Sequence, residues 1–114
     1  MTARRVAAVL GVLGIMLGAF GTHGLGAEIA KVAKGPEWWH TATLYHLIHA
    51  AAALATGRED GRASAATWCF AAGVLLFSGS LYVMALTDAR WLGAVTPFGG
   101  LAFTVGWLLL FRRG

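Results

Sequence analysis

Residues Thr67 to Leu86 form an apolar run without one charged side chain, and its middle reads Leu76-Phe77-Ser78-Gly79-Ser80-Leu81-Tyr82. A helix rises about 1.5 Å per residue, so a run of about 20 residues covers roughly 30 Å, the thickness of a bilayer's hydrocarbon core. This segment can therefore cross a membrane as one helix, and the rest of the chain has to accommodate it. Composition agrees: 58% of the 114 residues are hydrophobic and 12% are charged, against roughly 25% charged in soluble domains. Sixteen glycines would weaken water-soluble helices by about 1 kcal/mol each, but glycine is frequent where membrane helices approach closely.

The net charge of +4 is carried in loops and tails, where basic residues orient a membrane protein and touch anionic lipid. No basic patch is interleaved with aromatics, so no nucleic-acid partner is expected. Cys69 is the only cysteine, which excludes an internal disulfide and a cysteine zinc cluster. It reads as a small core hydrophobe.

Arg4-Arg5, the apolar stretch Val6 to Phe20 and small residues near Ala27 also fit a secretory signal peptide. Three more apolar runs follow, so the segment is expected to be retained as a first span. Within it Ala7, Gly11, Gly14, Gly18 and Gly21 recur at spacings of four and three, on one helical stripe. Such a stripe predicts close contact with another helix. Gly79 and Gly99 are further candidates for helix packing. In the loop His23 to Trp38, Leu25, Ile29 and Val32 share a face from which Glu28, Lys31 and Lys34 are excluded, and Gly35-Pro36 stops the pattern. The expectation is a short amphipathic helix lying in the interface.

A second span runs from about Trp38 to Ala55, entered through Trp38, Trp39 and His40 at headgroup level. Thr56 to Ser64, with Arg58, Glu59, Asp60, Gly61 and Arg62, reads as a solvated turn. After the third span come the tight connection Thr87-Asp88-Ala89-Arg90, Trp91 as an interfacial anchor, and a fourth span ending at Phe111. Thr96-Pro97 has two readings, a kink in a helix from about Trp91 or a cap and first-turn proline opening the regular helix. The second fits better, because a proline costs least in a first turn and Gly99-Gly100 would weaken a kinked helix further.

The expected fold is an all-α membrane protein of four transmembrane helices in a compact bundle, one domain with spans at about 5–22, 38–55, 67–86 and 91–111. Arg4, Arg5, Arg58, Arg62, Arg112 and Arg113 lie on one side, against Lys31, Lys34 and Arg90 on the other. The positive-inside rule then predicts both termini in the cytoplasm of a bacterial inner membrane.

Several strings together resemble a known family: Gly18-Ala19-Phe20-Gly21-Thr22-His23-Gly24-Leu25, Trp39 with Thr41-Ala42, Tyr45-His46 with His49-Ala50, Leu76 to Tyr82, and Thr96-Pro97-Phe98-Gly99-Gly100 with Gly106-Trp107. The chain resembles, over nearly its whole length, the small bacterial membrane proteins called domain of unknown function 423, which have transmembrane protein 256 as a mitochondrial relative. Thr22 stands where that pattern has alanine. The resemblance implies a four-span inner-membrane protein and carries no catalytic residues to transfer.

His46 and His49 fall about halfway along the second span, on one stripe with Ala42 and Ala53. Polar groups at that depth need partners, and Ser78, Ser80 and Tyr82 on the third span lie at similar depth. A histidine to hydroxyl network is the economical explanation. The other reading makes these histidines ligands for haem, a metal or another small ligand, or stations of a proton relay, since ionisable groups in a membrane mark sites. A protonated imidazole at the bilayer centre costs at least about 2 to 3 kcal/mol, so both rings are expected neutral. A second cluster, His23, Trp39, His40, Tyr82, Thr96 and Pro97, could line a shallow mouth at the outer face. Interfacial aromatics, a cap and a hydrogen-bonded histidine explain it without a ligand.

No nucleophile, base and orienter set is present, nor a phosphate loop or a pair of buried carboxylates. The leading expectation is a scaffold or accessory subunit acting through helix contacts, in a homo-oligomer or a larger membrane complex, without catalysis and without a bound cofactor. The alternative is a haem-, metal- or small-ligand-binding or transport protein using His46 and His49.

Overall fold

Thr2 starts the first helix: its hydroxyl accepts the Arg5 amide at 3.1 Å, satisfying one donor that a helix beginning leaves free. The computed structural model describes residues 1–113, and every regular element among them is helical. The elements are α1 (Ala3–Thr22), α2 (Gly26–Ala30), α3 (Gly35–Ala53), α4 (Ala65–Thr87) and α5 (Thr96–Arg113). Single tight helical turns at Leu54–Thr56 and Arg90–Ala94 follow α3 and precede α5. Three segments, α1, α4 and α5 with its preceding turn, are long and apolar enough to cross a membrane. Helix α3 is less apolar, with Glu37, Thr41, Thr43 and three histidines along its 19 residues.

Helix α1 lies along α3, α3 along α4, and α4 along α5. Backbone bonds gather one end: the Ala3 amide donates to Gly61 O at 3.1 Å and the Ala63 amide to Met1 O at 3.0 Å. The Arg113 guanidinium closes the same end, donating to Thr56 O at 3.0 Å and Gly57 O at 2.7 Å. The long helices therefore alternate in direction. Helix α4 is the most buried, while α1 and α5 turn apolar side chains such as Ile15 and Leu108 outward.

Two apolar clusters fill the interior. One joins Ile29, Trp39, Ala42, Leu81, Tyr82, Met84 and Ala85, and the other joins Ala7, Ala53, Phe70, Val74 and Phe103. Helix α4 opens on a capping box in which Ser64 and Thr67 exchange bonds, the Ser64 hydroxyl accepting the Thr67 amide at 3.3 Å and the Thr67 hydroxyl the Ser64 amide at 2.9 Å.

The structure departs from the sequence expectation at five places. The interfacial helix is a five-residue turn, α2, folded onto the bundle with Ile29 only 2% exposed, because an isoleucine gains more from the Trp39 cluster than from the interface. Gly35-Pro36 does not stop a helix but begins α3, with Pro36 in the first turn where its missing N–H costs nothing. Gly35 is held against Ile29 O, and a Cβ there would also fall 3.1 Å from Ala85 O.

The third departure lies within α4, which is not regular throughout. Val74–Ser78 form a wider turn in which the Gly79 amide bonds back five residues to Val74 O. The Phe77 carbonyl is satisfied sideways, by the Ser80 hydroxyl at 2.9 Å. The fourth is Thr56 to Ser64, whose middle is exposed as expected but whose ends are not. The Thr56 and Thr67 hydroxyls are fully buried and 2.6 Å apart, and Ser64 Oγ donates to Thr56 O at 2.5 Å.

Thr96-Pro97 opens α5 with the proline in the first turn. The Thr96 hydroxyl does not cap it, which is the fifth departure. Ser80 gives its one proton to Phe77 O, so the Thr96 hydroxyl donates to Ser80 Oγ at 2.6 Å, with Leu92 O farther off at 3.3 Å.

Candidate functional site

His46 and His49 point inward from α3 and are 2% and 4% exposed. His46 Nε2 lies 2.8 Å from Leu10 O of α1, and Nδ1 lies 2.9 Å from the Tyr82 phenol of α4. A carbonyl only accepts, so Nε2 carries the proton, and on a neutral ring Nδ1 takes the phenol's. His49 is arranged the other way round. Its Nδ1 lies 2.8 Å from Tyr45 O, and its Nε2 accepts the Trp107 indole N–H of α5 at 3.0 Å. An indole only donates, so this ring is protonated at Nδ1 and bare at Nε2. The two imidazoles are thus opposite tautomers, and all four ring nitrogens are engaged within the chain.

Aromatic neighbours hold the His49 ring in place. Phe103 stacks on it with centroids 3.6 Å apart and planes 9° from parallel, while Phe70 meets it edge-on at 5.2 Å. The indole completes the surround at 5.8 Å and 67°.

Glycines of α1 let the α3 donors reach it. Gly14 lies under the His46 ring, where a Cβ would fall 3.1 Å from Cδ2, and the Leu10 carbonyl is four residues back. One heptad along, the Trp39 indole lies over Gly21 and donates to Leu17 O at 2.9 Å, again four residues back. A side chain at either glycine would block the approach. Gly18 faces the Thr43 methyl at 3.2 Å, whereas Gly11 meets nothing within 4 Å and so packs on no helix of this chain. Gly99 lies on the wide turn of α4, its Cβ position 2.7 Å from Phe77 Cα, while Gly79 meets only Val74 O of its own helix, at 3.9 Å. Gly11 and Gly79 therefore make no close contact with another helix of this chain, unlike the helix packing expected of them. Close approaches also occur at Gly73 against Phe103 and at Gly106 against Phe70, which spacing alone did not single out.

The expected hydroxyl partners divide. Tyr82 joins His46, Ser78 donates instead to Ala42 O of α3 at 2.7 Å, and Ser80 turns to Thr96. The His49 partner is Trp107, whose only sequence signal is its place in the Gly106-Trp107 string. The outer cluster assembles only in part: Trp39 and His40 line one hollow between α1 and α3, which His23, Thr96 and Pro97 do not reach. Trp39 is buried with its ring 4.7 Å from Tyr82, Thr96 is held by Ser80, and His23, His40 and Pro97 are exposed. Among the described residues no three His, Cys, Asp or Glu side chains are grouped as a metal would need.

Comparison with known proteins adds a family. Residues 17–100 match the family described as "Protein of unknown function (DUF423)". UPF0382 membrane protein YwdK of Bacillus subtilis (strain 168) is 40% identical over 109 residues, which cover 90% of this chain and 87% of that protein. UPF0382 membrane protein SSP2132 of Staphylococcus saprophyticus is 42% identical over 114 residues, covering 93% of each chain. UPF0382 membrane protein SH2409 of Staphylococcus haemolyticus is 42% identical over 110 residues, covering 90% and 88%. No solved structure matches the chain.

Proposed function

The chain belongs to the DUF423 family, and from that premise we propose that it is a multi-pass protein of the bacterial inner membrane that serves as a scaffold or accessory subunit through helix contacts. In this reading α1, α3, α4 and α5 all cross the bilayer, with both termini cytoplasmic. The arginines at positions 4, 5, 58, 62, 112 and 113 support that orientation. Helix α3 and its closing turn, Gly35 to Thr56, cover about 30 Å, and the polar side chains His46 and His49 are satisfied inside the bundle, as a spanning helix requires.

The observation that carries the scaffold reading is the engagement of all four histidine ring nitrogens within the chain. A haem or metal ligand must offer a lone pair. Here the bare nitrogens are taken by the Tyr82 phenol and the Trp107 indole, and the protonated ones by carbonyls. What the chain leaves unpartnered is the outer apolar faces of α1 and α5, the surfaces through which a membrane subunit binds others.

Two measurements test this. Photo-crosslinkers at Ile15 and Leu108, on the outward faces, are expected to capture protein in native membranes, and capture of lipid alone at both positions would overturn the reading. The protein purified in mild detergent is expected to have no haem absorbance and no stoichiometric metal. Either one at one per chain would establish the ligand reading instead.

A further inference from the structure

Between α1 and α3, at the end that gathers the termini, two surface hollows share Arg4 and Leu54 and so run into one another. The outer one, about 570 Å³, is walled by Arg4, Arg58 and the backbone at Gly57 and Gly61, and no carboxylate lines it. The inner one, about 340 Å³, is apolar apart from Arg4 at its mouth, and runs between Ala8 and Gly11 of α1 and Ala50 and Ala51 of α3. Gly11 lies along it with nothing within 4 Å. The walls of the outer hollow are fixed by the Ala3 to Gly61 and Arg58 to Arg62 backbone bonds, at 3.1 and 2.8 Å.

Charge selects the occupant. The ion pairs among the described residues are Glu28 with Lys31 and Asp88 with Arg90, both at the opposite end. Glu59 and Asp60 line a different hollow, with Arg113 and with Arg58, which borders both. Arg4 and Arg58 both line the outer hollow and neither is in one of those ion pairs, and with α1 and α3 spanning they stand at the level where a bilayer places phosphates. Arg4 to Gly11 is seven residues, about 10 Å of helix, which carries the groove from headgroup depth into acyl depth.

We propose that this groove holds one anionic phospholipid of the cytoplasmic leaflet, its phosphodiester between Arg4 and Arg58 and one acyl chain along Gly11. The proposal rests on α1 and α3 crossing the bilayer as described above. A guanidinium binds a phosphate oxygen pair through two N–H groups, and a basic hollow opening on an apolar groove fits both parts of such a lipid. The open face of Gly11, which no helix of this chain covers, then has an occupant.

The test is native mass spectrometry of the full chain with equal amounts of phosphatidylglycerol and phosphatidylcholine in mild detergent. One phosphatidylglycerol per chain is expected to be retained in preference. Arg4→Gln and Arg58→Gln are each expected to weaken it about five-fold, and together about twenty-five-fold. Gly11→Leu is expected to abolish retention with the thermal midpoint unchanged, because its side chain enters open space. Equal retention of the two lipids, or no effect of these three substitutions, overturns the proposal. So does an equal rise in midpoint with inorganic phosphate, which would make the ligand a free anion, or a dimer that Gly11→Leu dissociates, which would make it a second copy. Reporter fusions near Lys34 and at the C-terminus separate the failures: one compartment for both removes the spanning reading beneath the site, whereas opposite compartments with no lipid preference remove the site alone.

Discussion

Gly14 lies under the His46 imidazole, where a Cβ would stand 3.1 Å from Cδ2 and 3.3 Å from Nε2. The bare backbone is what lets His46 reach the Leu10 carbonyl, and Gly21 does the same for Trp39 and Leu17 one heptad later. The carbonyls are already acceptors in the α1 ladder, so each takes a second bond through its other lone pair. A glycine stripe here serves a side-chain donor, where spacing alone suggested the approach of a second backbone.

Gly14→Leu is accordingly expected to lower the thermal midpoint in detergent, by overpacking and by loss of the His46 bond, together roughly 1 to 3 kcal/mol. Val12→Leu, on the exposed face, should leave it unchanged. Gly99→Ala should cost a similar 1 to 3 kcal/mol because the opposing atoms are Phe77 backbone, which cannot rotate away. An unchanged midpoint for Gly14→Leu would place that face against lipid.

The same logic applies to His49 and Trp107. His49→Gln can still accept the indole N–H and is expected to keep the fold, whereas His49→Leu leaves that half-buried donor unpaired at a cost of roughly 1 to 3 kcal/mol. Trp107→Phe should cost less in the hydrogen bond, about 0.6 kcal/mol, the average between membrane helices, and at most about 1.7 kcal/mol. The double variant His49→Leu with Trp107→Phe should recover part of the sum. Strict additivity would mean that the bond contributes nothing.

How much of this was legible follows from where each signal lies. The heptad of Gly14 and Gly21 is in the sequence, and so is the matching heptad of His46 and Trp39; pairing them needs only that α1 and α3 be antiparallel neighbours. The wide turn at Val74–Ser78 has no such signal, because Leu76-Phe77-Ser78-Gly79-Ser80 is compatible with a regular helix, and the five-residue bond from Gly79 to Val74 O lies where Gly99 of α5 meets Phe77, a long-range contact. Trp107 was hidden for a different reason. Phe103 and His49 stack between α3 and α5, so the bond bridges helices separated by a layer of rings, a distance that residue spacing does not encode. Thr56 and Ser64 end a charged turn and read as solvated, although bonds to one another and to Thr67, the first residue of the third span, draw them inward.

That hydroxyl cluster gives a further expectation. The Thr56 hydroxyl donates to Ala53 O at 2.6 Å, so the Thr67 hydroxyl supplies the proton between the pair and accepts the Ser64 amide at 2.9 Å. Thr67→Val keeps the volume and removes both bonds, and should destabilise by roughly 1 to 3 kcal/mol. Thr67→Ser should restore most of it. Equal midpoints for the two variants in calorimetry would show that packing, not the hydroxyl, holds this end.

Orientation is testable directly. With α1, α3, α4 and α5 all spanning, a reporter fused at the C-terminus should be active in the cytoplasm and one inserted near Lys34 on the far side. Identical compartments would leave α3, the least apolar of the long helices, inside the bundle without crossing the bilayer.

The tautomers provide the sharpest discrimination between a structural and a ligand-binding histidine pair. A carbonyl faces His46 Nε2 and His49 Nδ1, and proton donors face His46 Nδ1 and His49 Nε2. Nitrogen-15 spectra of the protein in lipid should therefore show one ring protonated at Nε2 and the other at Nδ1, each assigned by its loss in His46→Gln or His49→Gln. Tyr82→Phe removes the phenol that donates to His46 Nδ1 but keeps the ring that packs on Trp39, so the His46 signals should shift while those of His49 stay in place. A histidine that ligates a metal or haem uses an unprotonated nitrogen and is insensitive to the loss of a hydrogen bond there. Two rings in the same tautomer, or a His46 spectrum unmoved by Tyr82→Phe, would mean that these bonds do not hold the histidines and that the lone pairs are open to a ligand.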